Sequence, residues 1–94
     1  MKIEFDPIKS QKNADERDLP FDRVTEFDWE TSTSNPDDRF VYPEARYSSF
    51  GMLGKRLHYL CFTPIPGGIR VISIRKANSR AISKYEKAFI TTHQ

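Results

Sequence analysis

The chain has 94 residues, a formal net charge of +2 and a single cysteine, Cys61. This length suits one domain with a modest core, residues 1–94, and one cysteine excludes an internal disulfide. No apolar run approaches the ~20 residues of a membrane span, and the first residues lack the apolar stretch of a signal peptide. Two histidines and one cysteine give no zinc-binding spacing. We therefore expect a cytoplasmic protein with no membrane partner, metal or cofactor.

Charge is unevenly distributed along the chain. Residues 1–50 contain 7 Lys/Arg and 12 Asp/Glu, whereas residues 51–94 contain 8 Lys/Arg and, among acids, only Glu86. The second part is a basic segment that would attract a polyanion or an acidic partner. Alternatively, the two parts neutralise each other across the fold. Both interpretations fit the charge pattern.

The first part of the chain is predicted to contain short elements. β-type residues indicate a strand at residues 3–5, and a capping aspartate followed by proline begins a helix at 7–17. Apolar residues at helical spacing predict a second short helix at 20–27. Alternation then favours a strand at 27–33, and a turn-rich composition predicts a long loop at 34–45.

The second part is predicted to form a meander of strands at 46–52, 57–63 and 69–76, followed by a helix. Asn78 or Ser79 caps this helix, and its apolar face contains Ile82, Tyr85 and Phe89. The order predicts an α+β fold: an antiparallel sheet of about four strands plus a short N-terminal strand, two N-terminal helices and a C-terminal helix. We expect the helices to cover one sheet face and to leave the other partly open.

Cations next to predicted strands are the most distinctive chemical feature. The residue patterns of common hydrolases, phosphate loops and metal sites are missing. Arginine binds phosphate through a planar fork, and exposed aromatic rings stack on unpaired bases. Such aromatic residues are equally typical of a core, and such arginines of a solvated face. The candidates for nucleic-acid contact are Arg46, Arg70, Arg75, Lys76, Arg80, Tyr47, Tyr59 and Phe62.

Five sequence motifs occur in a specific order: "IEFDPIKSQKN", "ERDLPFD", "EFDWE", "PEARYSSFGMLGKRLHYLCFT" and "GGIRVISIRKANSR". In this order and spacing the chain resembles the BrnT family over about residues 3–86. These are small RelE-like ribonuclease toxins of bacterial type II toxin–antitoxin systems. The last motif, which continues to "SKYE", is the most specific. It matches at Arg70, Ile72, Ser73, Arg75, Lys76, Ala77, Arg80 and Tyr85.

The resemblance implies a metal-independent endoribonuclease that inhibits translation. Its partner would be a BrnA-type ribbon-helix-helix antitoxin, and dimerisation of the antitoxin would give a heterotetramer. That complex would repress its own operator, with the antitoxin making the DNA contacts.

The resemblance also implies roles for individual residues, since RelE-like enzymes rely on Arg, Lys, Tyr and Glu. Arg46 and Arg75 would bind the phosphate and stabilise transition-state charge, with Lys76 or Arg80 as a second cation. Tyr47 is a candidate for acid/base catalysis or stacking, and Glu44 a weaker acid/base candidate. Further RNA-binding cations would be Arg70, Lys55 and Arg56. His58 is interpreted as a core residue.

The chain departs from the family pattern at two positions. Asp18 occupies a position usually held by glycine, which would end the first helix more easily. Ala81 follows Arg80 where the family has a glutamate. If the family's glutamate is catalytic, its replacement by alanine would disarm the toxin. If the glutamate instead forms a capping box with Asn78, the replacement would only weaken the start of the helix.

Three functions therefore remain open. The first is a ribonuclease toxin held by its antitoxin, either active or disarmed at Ala81. The second is a catalytically inactive RelE-like module that acts as co-repressor with its antitoxin. The third is a small structural subunit with a charge-balanced surface, which leaves the motif match unexplained.

Overall fold

Five strands and two α-helices follow one another in the computed structural model, which describes the backbone of residues 1–93 and the side chains of residues 1–88. The elements are β1 (Lys2–Glu4), α1 (Pro7–Arg17), a 3-10 helix (Phe21–Glu26), β2 (Thr33–Pro36), β3 (Tyr47–Leu53), β4 (Arg56–Ile65), β5 (Gly68–Lys76) and α2 (Ser79–His93). The α+β class predicted from the sequence is confirmed.

The strands form one sheet in the order β1-β5-β4-β3-β2. Strands β2 to β5 are antiparallel neighbours, as predicted, whereas β1 runs parallel to β5. Gly68 permits this pairing, because a Cβ atom there would collide with the backbone of Lys2. The sheet is therefore mixed rather than purely antiparallel.

Helix α1 begins and ends where its local signals predict. The Asp6 side chain accepts a hydrogen bond from the Ile8 backbone N–H at 2.9 Å, and Pro7 occupies the first turn. Asp18 ends the helix in the left-handed region, with φ 54° and ψ 40°, and its N–H bonds to the Ala14 carbonyl. The position thus adopts the conformation for which glycine is favoured.

Two predictions for residues 20–33 are wrong. The second N-terminal helix is a short 3-10 helix, and β2 begins at Thr33 instead of spanning residues 27–33. Phe27 makes only an isolated bridge to Leu53. The Asp28 side chain then accepts hydrogen bonds from the Glu30 N–H and the Thr31 hydroxyl, and this local turn competes with strand pairing.

The two faces of the sheet carry different helices. On the core face, Leu60 and Ile74 are fully buried against the layer formed by α1 and the 3-10 helix. Helix α2 crosses the opposite face, here called the outer face, where the Tyr85 hydroxyl donates to the Thr31 carbonyl at 2.7 Å. The expectation that all helices cover one face is therefore wrong.

The start of α2 is fixed directly at the end of β5. The Ala77 N–H donates to the Leu57 carbonyl, and the Arg56 guanidinium donates to the Ala77 carbonyl. Asn78 is the N-cap, since its side-chain oxygen accepts from the Ala81 N–H at 2.8 Å. This confirms one of the two predicted caps. Phe89, predicted to share the apolar face of α2, lies outside the residues whose side chains are described.

Candidate functional site

The outer face carries a row of aromatic and charged side chains. Successive side chains of a strand point to opposite sides, so residues paired across neighbouring strands share a face. Phe50 of β3 pairs with Tyr59 of β4, which pairs with Arg75 of β5. Towards the other end of these strands, Thr63 pairs with Arg70. The sheet thereby assembles residues that are distant in sequence.

Arg75 lies over an aromatic ring on this face. Its guanidinium carbon is 4.6 Å from the centroid of Tyr59, whose ring is 5.0 Å from that of Phe50. No carboxylate among residues 1–88 forms an ion pair with Arg75. A stacked guanidinium keeps its in-plane N–H donors, so Arg75 can still bind an anion at its edge.

Arg46 is arranged in the same way at the start of β3. Its guanidinium carbon lies 4.2 Å from the Tyr42 ring centroid, and it has no ion pair within the described part of the chain. Its Nε is buried and makes no hydrogen bond to the described residues. Buried donors without an acceptor are uncommon, so this atom marks a place where a further acceptor would be stabilising.

A cluster around Asp37 supports Arg46. The Arg39 guanidinium donates to both Asp37 carboxylate oxygens at 2.9 and 3.0 Å, and the Tyr42 hydroxyl donates at 3.4 Å. The hydrogen bonds from Arg39 lower the pKa of Asp37, which opposes the effect of burial, and Asp37 in turn raises the pKa of Arg39. Asp37 thereby positions the Tyr42 side chain, and the Arg46 guanidinium lies over the ring of that tyrosine.

Sequence reasoning missed this cluster, because Asp37, Arg39 and Tyr42 lie in what was predicted to be a long loop. Asp37 is in fact tied to β3, since its N–H donates to the Arg46 carbonyl at 2.8 Å. The available signal was an acidic residue, an arginine and a tyrosine close together before a predicted strand. Turn-forming residues around them favoured a loop, and no local pattern revealed the contact with Arg46.

Arg70 and Glu44, both predicted site residues, contact each other. Arg70 donates to Glu44 at 3.2 Å and to Glu4 at 3.1 and 3.2 Å, so two carboxylates neutralise its charge. The Thr63 hydroxyl also donates to Glu44, at 3.5 Å. Glu44 therefore lies on the outer face within a hydrogen-bonded group, whereas Arg70 is less available to phosphate than Arg46 or Arg75.

Other predicted residues lie apart from this group. The Tyr47 ring stacks on Phe62, with centroids 5.9 Å apart, and packs against the core. Lys76 follows Arg75 in β5 and points to the opposite side; it pairs with His58. Lys55 is exposed in the β3–β4 turn, and Arg56 is engaged with the Ala77 carbonyl.

The first turn of α2 contains the remaining two predicted residues. Arg80 is exposed. Ala81 lines a cleft of about 400 Å³ between α2 and the strands β2 and β3, together with Lys84, Tyr85, Ala88, Thr33, Asn35 and Phe50. Phe50 connects the two regions, because its ring also contacts Tyr59 beneath Arg75. A longer side chain at position 81 would therefore project towards the outer face.

Two buried titratable residues are neutral under ordinary conditions. Burial lowers the pKa of His58, whose Nδ1 is 2.9 Å from the Arg56 carbonyl oxygen. Burial raises the pKa of Cys61, which keeps its thiol protonated beside Asp37. The interpretation of His58 as a core residue agrees with its 4% exposure.

Two kinds of feature are absent from the part of the chain that the structure describes. No group of three or more His, Cys, Asp or Glu side chains is placed there to hold a metal ion. No helix among those residues is long and apolar enough to span a bilayer.

This small α+β domain therefore carries two arginines that lie over tyrosine rings. The model of the BrnT family, described as the ribonuclease toxin of type II toxin–antitoxin systems, matches residues 5–81. The chain therefore belongs to the BrnT family, and membership implies a protein antitoxin as partner. No curated protein and no solved structure gave a significant match.

Proposed function

We propose that the outer face of this chain carries the RelE-like active site of a ribonuclease toxin, one that cleaves RNA without a metal ion and thereby inhibits translation. The observation that carries the proposal is the state of two arginines. Arg46 and Arg75 each lie over a tyrosine and have no carboxylate partner among residues 1–88, whereas Arg39 and Arg70 are paired with acids. These two guanidinium groups are therefore the best phosphate ligands of this face.

In this mechanism the RNA supplies the nucleophile. The 2′-oxygen attacks phosphorus while its proton passes to a base, and the P–O5′ bond breaks as an acid protonates O5′. The products are a 2′,3′-cyclic phosphate and a 5′-hydroxyl end. Arg46 and Arg75 stabilise the additional negative charge on the phosphoryl oxygens in the transition state. Arg80 supplies a further cation from α2.

Glu44 is the residue we assign to proton transfer. It lies on the outer face, where Arg70 and Thr63 orient its carboxylate. Tyr47, the other candidate, has its ring packed against the core, and we assign it the supporting role of fixing the start of β3 next to Arg46. Arginine is an unsuitable base because it stays protonated.

Ala81 is the position at which we propose that this chain is disarmed. A glutamate there would bring a carboxylate into the cleft beside Phe50, and hence close to Arg75. The same glutamate could instead complete a capping box with Asn78, which already bonds to the N–H of residue 81. Growth arrest by an Ala81→Glu variant, in cells that tolerate the unchanged chain, would support the proposal that Ala81 disarms the toxin. Unchanged toxicity would mean that a glutamate at this position only caps the helix.

The partner we propose is a BrnA-type ribbon-helix-helix antitoxin, with two toxins held by an antitoxin dimer in the cytoplasm. The antitoxin would cover the cations of the outer face and would make the contacts with operator DNA. A second candidate function, an inactive co-repressor, is favoured by the absence of a carboxylate at Ala81.

The experiment that separates these functions is incubation of the purified chain and of its Ala81→Glu variant with RNA in EDTA. Cleavage by either protein supports the ribonuclease proposal. Binding to RNA and to the antitoxin, with no cleavage by either protein, supports the co-repressor. Cleavage that requires added metal ions contradicts the metal-independent mechanism.

A further inference from the structure

We propose that the cleft between α2 and β2–β3 is a subsite that binds one unpaired base of the RNA, next to the phosphate held by Arg75. The inference rests on the proposed function, since it assumes that the outer face binds RNA. It adds a ligand-binding site that includes residues not considered so far, chiefly Asn35 of β2.

The cleft lies between one side of α2 and the strands β2 and β3. Its helical wall consists of residues 81, 84, 85 and 88, a spacing that places all four on one helix face. Two of them are alanines, which leave space where larger side chains would fill it. The resulting volume of about 400 Å³ falls within the usual range of small-ligand sites, from about 300 Å³ upwards.

The floor of the cleft offers a ring and hydrogen-bonding groups. Thr33 pairs with Phe50 and Asn35 pairs with Ser48, so these side chains share the outer face. The Asn35 side chain is exposed, and its carboxamide can both donate and accept hydrogen bonds. A base edge presents donors and acceptors of this kind, and the face of Phe50 can stack on the base.

The cleft and Arg75 are connected through two aromatic rings. The Phe50 ring lines the cleft and lies 5.0 Å from Tyr59, and Arg75 lies 4.6 Å from that same tyrosine. A base against Phe50 would therefore be near a phosphate at Arg75. The exposed Lys84 on the helical wall adds a positive charge for the RNA backbone.

A hydrophobic segment of a protein partner suits the cleft less well. It would bury the Asn35 carboxamide, the Thr33 hydroxyl and the Lys84 ammonium without hydrogen-bonding partners, which is unfavourable. A nucleobase would cover the Phe50 ring and would also form hydrogen bonds with the Asn35 carboxamide. The cleft is largely apolar with a few polar groups, and this combination favours an RNA base, which has apolar faces and polar edges.

The test is NMR titration of the purified chain with short single-stranded RNA oligonucleotides that differ at one base. We expect shifts of the Asn35 side-chain amide and the Phe50 backbone amide together with shifts around Arg75. We also expect Asn35→Ala and Phe50→Leu to weaken binding by at least about 5-fold. Phe50→Leu keeps an apolar side chain and removes the stacking ring. Gln11→Ala is the control, because Gln11 is an exposed residue of α1, on the other side of the sheet from the cleft. This variant should bind RNA as the unchanged chain does.

The outcomes separate this inference from the proposed function. Shifts around Arg46 and Arg75 without shifts at Asn35 and Phe50 would overturn the base subsite and leave RNA binding by the outer face intact. Unchanged affinity in both cleft variants would overturn it as well. RNA that shifts no residue of the outer face would overturn both proposals.

Discussion

Asp18 is the one described non-glycine residue with positive φ, at 54°. A side chain in this region costs free energy that glycine avoids, although aspartate tolerates it better than most residues. We therefore expect Asp18→Gly to raise the free energy of unfolding by about 0.5–1 kcal/mol. Urea denaturation of the purified variant measures the change.

Lys12→Gly is the matched control for Asp18→Gly. Lys12 is exposed in the interior of α1, where glycine lowers stability by about 1 kcal/mol relative to a good helix former. The two substitutions should therefore have opposite signs. If both substitutions lowered the free energy of unfolding, the left-handed conformation of Asp18 would not be costly, and the prediction would be wrong.

His58 makes stability depend on pH. Because burial lowers its pKa below the ordinary 6.5, the unfolded chain binds more protons than the folded chain at mildly acidic pH. The stability that the neutral His58 side chain contributes is fully present above pH 6.5. It is lost as the pH falls from there towards the folded-state pKa. His58→Gln should therefore flatten the decline in the free energy of unfolding between about pH 7 and about pH 5.

The same variant separates a core histidine from a catalytic one. In the Ala81→Glu background, His58→Gln should leave RNA cleavage unchanged at a temperature where both proteins are folded. A pH–stability profile identical to that of the unchanged chain would contradict the burial argument. Loss of cleavage by the folded variant would contradict the interpretation of His58 as a core residue.

At the scale of elements, Asn13 joins α1 to the sheet. Its buried amide donates to the Leu19 carbonyl at 2.6 Å and to the Ile74 carbonyl, in β5, at 3.0 Å. Asn13→Ala would leave both carbonyl oxygens without this donor, so we expect a loss of about 2 kcal/mol in the free energy of unfolding. Gln11→Ala, an exposed change in the same helix, should cost less than about 0.5 kcal/mol in the same thermal or urea measurement.

Elements with strong local signals were predictable from the sequence. A capping aspartate and a proline begin α1, an apolar and aromatic run between two turns defines β4, and β-branched residues define β5. The strand predicted at 27–33 was wrong because Asp28 forms a local turn. The parallel pairing of β1 with β5 joins residues 2–4 to residues 68–70, and a contact between segments so far apart in the sequence leaves no periodic signal in either of them.

The predicted site was only partly resolved by sequence reasoning. Arg46 and Arg75 could be selected by residue type and resemblance, but the rings beneath them could not. Tyr42 lies in a segment without regular periodicity, and the partner of Arg75 depends on strand register. The location of Ala81 in a cleft depended on the face that α2 crosses, which the sequence pattern did not predict.

At the scale of the whole molecule, the charges of the two parts of the chain are partly paired. Arg70 forms ion pairs with Glu4 and Glu44, which come from the acidic part. Arg46 and Arg75 have no such partner among residues 1–88. Neutralisation between the two parts therefore holds for Arg70, whereas attraction of a polyanion by the unpaired arginines stays a prediction.

RNA binding should consequently depend on salt. Each phosphate contact to single-stranded RNA contributes about −0.7 to the slope of log K against log salt concentration. Arg46→Ala and Arg75→Ala should each make the slope shallower by about 0.7, measured by fluorescence anisotropy with a labelled oligonucleotide. Lys12→Ala, an exposed change on α1, should leave it unchanged. Equal slopes for all the proteins would contradict phosphate binding by these arginines.

The central claim is that Arg46 and Arg75 hold the phosphate that is cleaved. Its most direct test is the rate of RNA cleavage in EDTA by the Ala81→Glu variant, with and without the Arg46→Ala and Arg75→Ala substitutions together. We expect cleavage by the single variant and a loss of at least about 100-fold in the triple variant, provided that its circular dichroism is unchanged. Unaltered cleavage by the folded triple variant would contradict it.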